Sequence, residues 1–121
     1  MQPGLATAHF HLGLLYSYFE RNTQAVEEFE RTLHLIPDFA EGYQSLALVY
    51  QTNEDYDMAI NFFEKAIELQ PEMADALFNL GVAYTNNGDI KKAQEKYEVL
   101  KNIDFQRAEL LLHKINKKTG K

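Results

Sequence analysis

Apolar residues recur three and four apart along almost the whole chain, as in Leu12, Leu15, Tyr16 and Phe19 and again in Leu46, Val49 and Tyr50. That is the stripe of an amphipathic helix rather than the alternation of a strand. The stripes predict first helices near 6–19, 40–53 and 74–87, each followed by a second near 23–36, 57–70 and 90–103. The second set carries Val26, Phe29 and Leu33, then Ile60, Phe63 and Ile67, at the same spacing. Short polar connections separate the partners: Glu20-Arg21-Asn22, Asn53-Glu54-Asp55 and Asn87-Gly88-Asp89, the last with a glycine able to take a left-handed backbone. Each pair is therefore expected to be an antiparallel hairpin. Asp38 and Glu41 offer a capping box for the helix that follows Pro37.

The stripes are also in register with one another. Pro3, Pro37 and Pro71 stand 34 residues apart, and the residues between them divide into units 6–39, 40–73 and 74–107. Six offsets repeat: Leu12, Leu46, Leu80; Gly13, Ala47, Gly81; Tyr16, Tyr50, Tyr84; Ala25, Ala59, Ala93; Phe29, Phe63, Tyr97; Leu35, Leu69, Ile103. Small residues recur where helices must approach closely, and large ones where a gap must be filled. Hairpins of this period stack into an all-α solenoid in which each unit leans on its neighbours. After Arg107 the pattern resumes with Ala108, Leu111, Leu112 and Ile115, but Lys114 and Lys118 occupy the positions where a fourth unit would place its leucine and tyrosine. Residues 108–119 are thus expected to form a capping helix, with Arg107, Glu109, His113 and Lys117 facing water and Gly120 and Lys121 fraying.

These repeated residues resemble the tetratricopeptide repeat over about residues 6–107, with Pro3 as the trace of a preceding unit. The resemblance implies a right-handed α-solenoid of three helix-turn-helix units. Departures lie at the ends: His9 replaces a bulky aromatic residue in the first unit, Leu100 occupies a small-residue position in the third, and Phe105 stands where proline is expected. Terminal units of an array are atypical because one side lacks a neighbour.

Length and composition agree with one domain spanning 1–121: the chain is 45% apolar and long enough to bury a sizeable core. It shows neither a run of 18 apolar residues nor a charged-then-apolar leader, so no membrane span or signal peptide is expected. Absence of cysteine fits a reducing, cytoplasmic compartment and is equally allowed in a periplasm. Met1 just before an in-phase Pro3-Gly4 also fits a piece of a longer protein. Charge is uneven. Residues 1–90 hold 3 Lys+Arg and 14 Asp+Glu, net −11, whereas 91–121 hold 9 and 4, net +5. An acidic body with a basic end disfavours nucleic acid as a partner and admits either a solvated surface or attraction of basic peptides and head-to-tail contact.

No chemistry-bearing constellation is expected. His9 and His11 are two apart and point to different helix faces, leaving no metal site with His34 and His113. Asn53, Asp55, Asp57 and Glu64 match offsets of a calcium loop, but Met58 takes the position that needs glycine and the segment belongs to a helix. Phosphate loops, nucleotide turns and nucleophile elbows are absent, and Glu27, Glu28 and Glu30 read as one exposed helix face. Neither an enzyme, a metal nor a cofactor is implied.

Function is then a matter of surface. The resemblance implies a concave groove lined by positions 2, 5, 9, 12 and 13 of each first helix: Thr7, Phe10, Leu14, Ser17 and Tyr18; Glu41, Gln44, Leu48, Gln51 and Thr52; Asp75, Phe78, Val82, Thr85 and Asn86. Phe10, Leu14, Tyr18, Leu48, Phe78 and Val82 are large and apolar, yet lie outside the six repeating offsets. They are expected to anchor an extended or helical peptide segment, with Gln44, Gln51, Asp75 and Asn86 orienting it. The alternative is a self-assembling scaffold that uses the N-terminal face or the groove. None of the fifteen is Lys or Arg, and the positions matching the family's chaperone-tail clamp read Phe10, Leu14, Ser45, Asp75 and Asn79. A partner with some positive charge is therefore expected, and a C-terminal carboxylate is not.

Overall fold

The computed structural model describes residues 3–121, with side chains from Gly4 onward; Met1 lies outside the described residues. Among them, seven helices follow in order: α1 (Pro3–Tyr18), α2 (Asn22–Leu35), α3 (Ala40–Thr52), α4 (Tyr56–Leu69), α5 (Ala74–Asn87), α6 (Ile90–Lys101) and α7 (Phe105–Thr119). α1 packs on α2, α3 on α4 and α5 on α6, while α2 meets α3 and α4 meets α5 to join consecutive hairpins. The first helices α1, α3 and α5 also touch in sequence, and α7 closes the stack against both α5 and α6. This is the all-α solenoid of helix-turn-helix units that the period implies. No helix is long and apolar enough to cross a membrane.

Two boundaries differ from expectation. Pro37 and Pro71 sit in turns, but Pro3 lies within α1. The final helix begins at Phe105 rather than at 108, because the Asp104 carboxylate accepts the Arg107 backbone N–H at 3.1 Å and so caps a new first turn. Conversely, the capping box of Asp38 and Glu41 is not formed: Phe39 is the N-cap of α3 and no side chain caps it. The backbone does that work, with the N–H groups of Gly42 and Tyr43 reaching the Phe39 carbonyl.

The repeated offsets make the core. Ala25, Ala59 and Ala93 are fully buried, as are Phe29 and Phe63. Position 8 is small because there is no room beside it: a Cβ on Gly81 would stand 2.5 Å from Leu111 of α7. Burial nevertheless changes along the array. Leu46 and Leu80 are 2% and 0% exposed, but their counterpart Leu12 is 37% exposed. α1 is the first helix of the described chain, so the stripe that expectation assigned to packing (Leu12, Leu15, Phe19) faces outward instead. A small cluster around Phe29, Leu46 and Val49 supports the first hairpin; a larger one runs from Ala47 to Ile115, and Tyr50 and Phe62 lean on both.

Candidate groove and its charged end

The six apolar groove candidates divide by structural duty. Phe10 is half-buried, its ring 5.0 Å edge-on from Phe39 and 5.9 Å from Phe29. Phe78 and Val82 are likewise half-buried against the main core. These three pack into the fold. Leu14, Leu48 and Tyr18, by contrast, are 42%, 37% and 81% exposed. Leu14, Leu48 and Val82 share one repeat position on three adjacent first helices, so the stack sets them in a row.

Among the polar candidates, Gln44 and Gln51 keep a side-chain oxygen buried with no hydrogen-bond partner among the described residues. Such an acceptor costs about 1–3 kcal/mol. Asp75 is not a bare anion: Arg107 of α7 pairs with its carboxylate and also bonds Asp104 at 2.7 Å. The backbone N–H of Arg107 and then its guanidinium hold the Asp104 carboxyl below the ordinary carboxylate range. Arg107 therefore does not simply face water, as the cap reading had it.

Position-counting on the first helices also missed the contribution of α7. Val82, Thr85 and Asn86 share a cleft of about 280 Å³ with Lys114, Lys117 and Lys118. The Thr85 hydroxyl donates to the Gly81 carbonyl at 2.8 Å, and Asn86 is exposed. The groove thus has no cation among its fifteen positions but acquires three at its C-terminal end. The signal lay in the sequence: Lys114 and Lys118 replace core residues of a fourth unit.

Two other polar groups have structural partners. Glu28 was grouped with an exposed face but is only 6% exposed. His9 donates from Nδ1 to Glu28 Oε1 at 2.6 Å, and Arg31 pairs with its other oxygen at 2.7 Å. The departure at His9 is thereby explained, since an aromatic there would leave that carboxylate with Arg31 alone. In the calcium-like run, Asp55 caps α4 by accepting the Met58 N–H and Glu64 accepts the hydroxyl of Tyr84. Burial, then that bond, raises the Tyr84 phenol well above its usual range.

Comparison with known proteins follows the same lines. The tetratricopeptide repeat profile matches residues 50–115, more than half of the chain. No curated protein sequence matches. In solved structures the chain is similar to the first TPR of Spaghetti (RPAP3) bound to the HSP90 peptide SRMEEVD, at 16% identity and a TM-score of 0.90, covering 100% of this chain and 98% of that one. The TPR2B domain of yeast Sti1, in a complex with pHsp70, is similar at 20% identity and TM-score 0.86 over 95% and 96% of the two chains. The MamA protein is similar at 26% identity and TM-score 0.78 over 86% of this chain and 57% of that one.

Proposed function

Because the chain belongs to the tetratricopeptide repeat family, we propose that it is a non-enzymatic protein-interaction module whose α1–α3–α5 face holds a segment of a partner protein. One observation carries this reading: Leu14 and Leu48, 34 residues apart at one repeat position, both stay exposed next to Val82. Since Leu14 and Leu48 keep 42% and 37% of their surface exposed, a ligand that covers them returns about 1 kcal/mol for each. An extended peptide or one face of a helix fits such a row, because its anchors recur at a regular spacing. Gln44 and Gln51 would orient the segment by accepting its N–H groups after a small rotation of each amide.

The expected exclusion of a chaperone tail receives no support. One similar structure is bound to an HSP90 peptide and another is a complex with pHsp70, and Arg107 beside Asp75 offsets the negative charge on which part of the exclusion rested. A carboxylate-bearing peptide stays within the range of ligands. Self-assembly is a second reading with its own observation: α1 and the turn after it expose Leu5, Leu12, Leu15 and Phe19 at 46%, 37%, 53% and 62%. That outer stripe is separate from the Leu14–Leu48 row.

The test uses short peptides selected from a random library against the native chain. Leu14→Glu with Leu48→Glu should weaken the selected peptides by at least about tenfold while the helical melt changes little, since both side chains are already exposed. Phe78 is unsuitable for this purpose because it packs against the core. Undiminished affinity in the folded double variant would remove the row from the mechanism.

A further inference from the structure

We propose that Lys114, Lys117 and Lys118, together with Asn86, form a site for the carboxylates of an acidic segment of a partner protein, at the α7 end of the groove. The proposal rests on the groove reading for the path of the segment, and on separate observations for its charge.

The three lysines sit at i, i+3 and i+4 on α7 and so project from one turn. Like charges at that spacing repel one another, and among the described residues none of the three is in an ion pair. Arg21, Lys91, Lys92, Lys96 and Lys121 also have no carboxylate partner among the described ion pairs, so what sets these three lysines apart is the cleft they share. A chain of net charge −6 has acids to spare, yet the cleft that the lysines share with α5 is lined otherwise by Val82, Thr85 and Asn86, with no carboxylate. The last turn of α7 accounts for some of this, because cations there complement the helix dipole. The dipole does not account for a cleft of about 280 Å³ in which those cations meet an exposed amide and an apolar side chain.

That mixture selects the ligand. Three ammonium groups attract anions, Asn86 offers an amide N–H to a carboxylate oxygen, and Val82 gives a neighbouring side chain an apolar seat. A long polyanion is disfavoured, because the net −11 carried by residues 1–90 repels a backbone that continues beyond the cleft. A short acidic stretch next to an apolar anchor fits. The charge expectation for the partner is thereby revised: its segment is acidic where it meets α7.

The experiment is fluorescence anisotropy with three labelled probes: an amidated peptide of Leu, Asp and Glu, its counterpart with Lys for the acids, and a single-stranded oligo-dT. The acidic peptide should bind the native chain, weaken as salt shortens the screening length, and lose about tenfold or more in affinity to Lys114→Gln/Lys117→Gln/Lys118→Gln. A second variant with all three changed to Glu should abolish binding, with the helical melt of both confirming the fold. Unchanged affinity in the folded Gln variant overturns the proposal, as does no binding of the acidic peptide, preference for the basic peptide, or equal binding of oligo-dT. Leu14→Ser/Leu48→Ser, which adds no charge, separates the two readings. If only the row fails, this variant keeps native affinity while the lysine variants lose it; if only the lysine site fails, the reverse holds.

Discussion

Tyr84 shows how one repeated residue acquires a hydrogen-bond partner that its counterparts lack. It is 3% exposed and donates its hydroxyl to Glu64, whereas Tyr16 and Tyr50 are only half-buried. Burial and the Glu64 partner keep the folded phenol protonated above the ordinary value of 10.0. Above that pH the unfolded chain releases the proton and the folded chain keeps it, so stability is intact below the unfolded value and falls as pH rises past it. Urea unfolding at about pH 9 and about pH 11 should show the native chain losing up to about 1.4 kcal/mol per pH unit more than Tyr84→Phe. Equal losses would show that the phenol is not held in this way. The same contrast between residue identity and environment explains Glu28, where the pattern of charges gave no warning of burial. Its carboxylate is covered because His9 and Arg31 reach it from two helices.

At the scale of the element, each hairpin turns at the same position, and the backbone there is left-handed in all three: Glu20 at φ 60°, Glu54 at 63° and Gly88 at 88°. Only the third has the residue that suits it. A side chain in that region costs about 1 kcal/mol, so Glu54→Gly should raise the melting temperature by about 3 °C, a shift readable by circular dichroism. An unchanged or lower value would show that the turn is relaxed. Helix identity and pairing were legible in the sequence because the six offsets are set by contacts inside one unit and with the next, and those recur every 34 residues. Exposure was not legible from offsets alone. Leu12 carries the same letter as Leu46 and Leu80, but only the latter two have a packed neighbour on both sides, α7 serving as the second neighbour for Leu80. The start of α7 was missed for a related reason: with no proline at Phe105, its boundary depends on the cap formed by Asp104.

For the molecule as a whole, the array is a gradient rather than three equal units. Its first helix shows apolar side chains on an outer stripe, its middle carries the acidic charge, and its last helix brings cations to the mouth of the groove. The groove row was readable as a list of positions, since Leu14 and Leu48 are apolar without being needed by the core. The cationic cleft was not, because it is made by a helix outside the repeat on which those positions are defined. Both features meet at Val82. The most direct measurement is therefore chemical-shift mapping of the isotopically labelled chain during titration with a selected peptide. Perturbations should centre on Leu14, Leu48 and Val82 and extend to Lys114, Lys117 and Lys118. Perturbations confined to α2, α4 and α6, or signals that broaden with protein concentration alone around Leu12, Leu15 and Phe19, would contradict a peptide-holding groove.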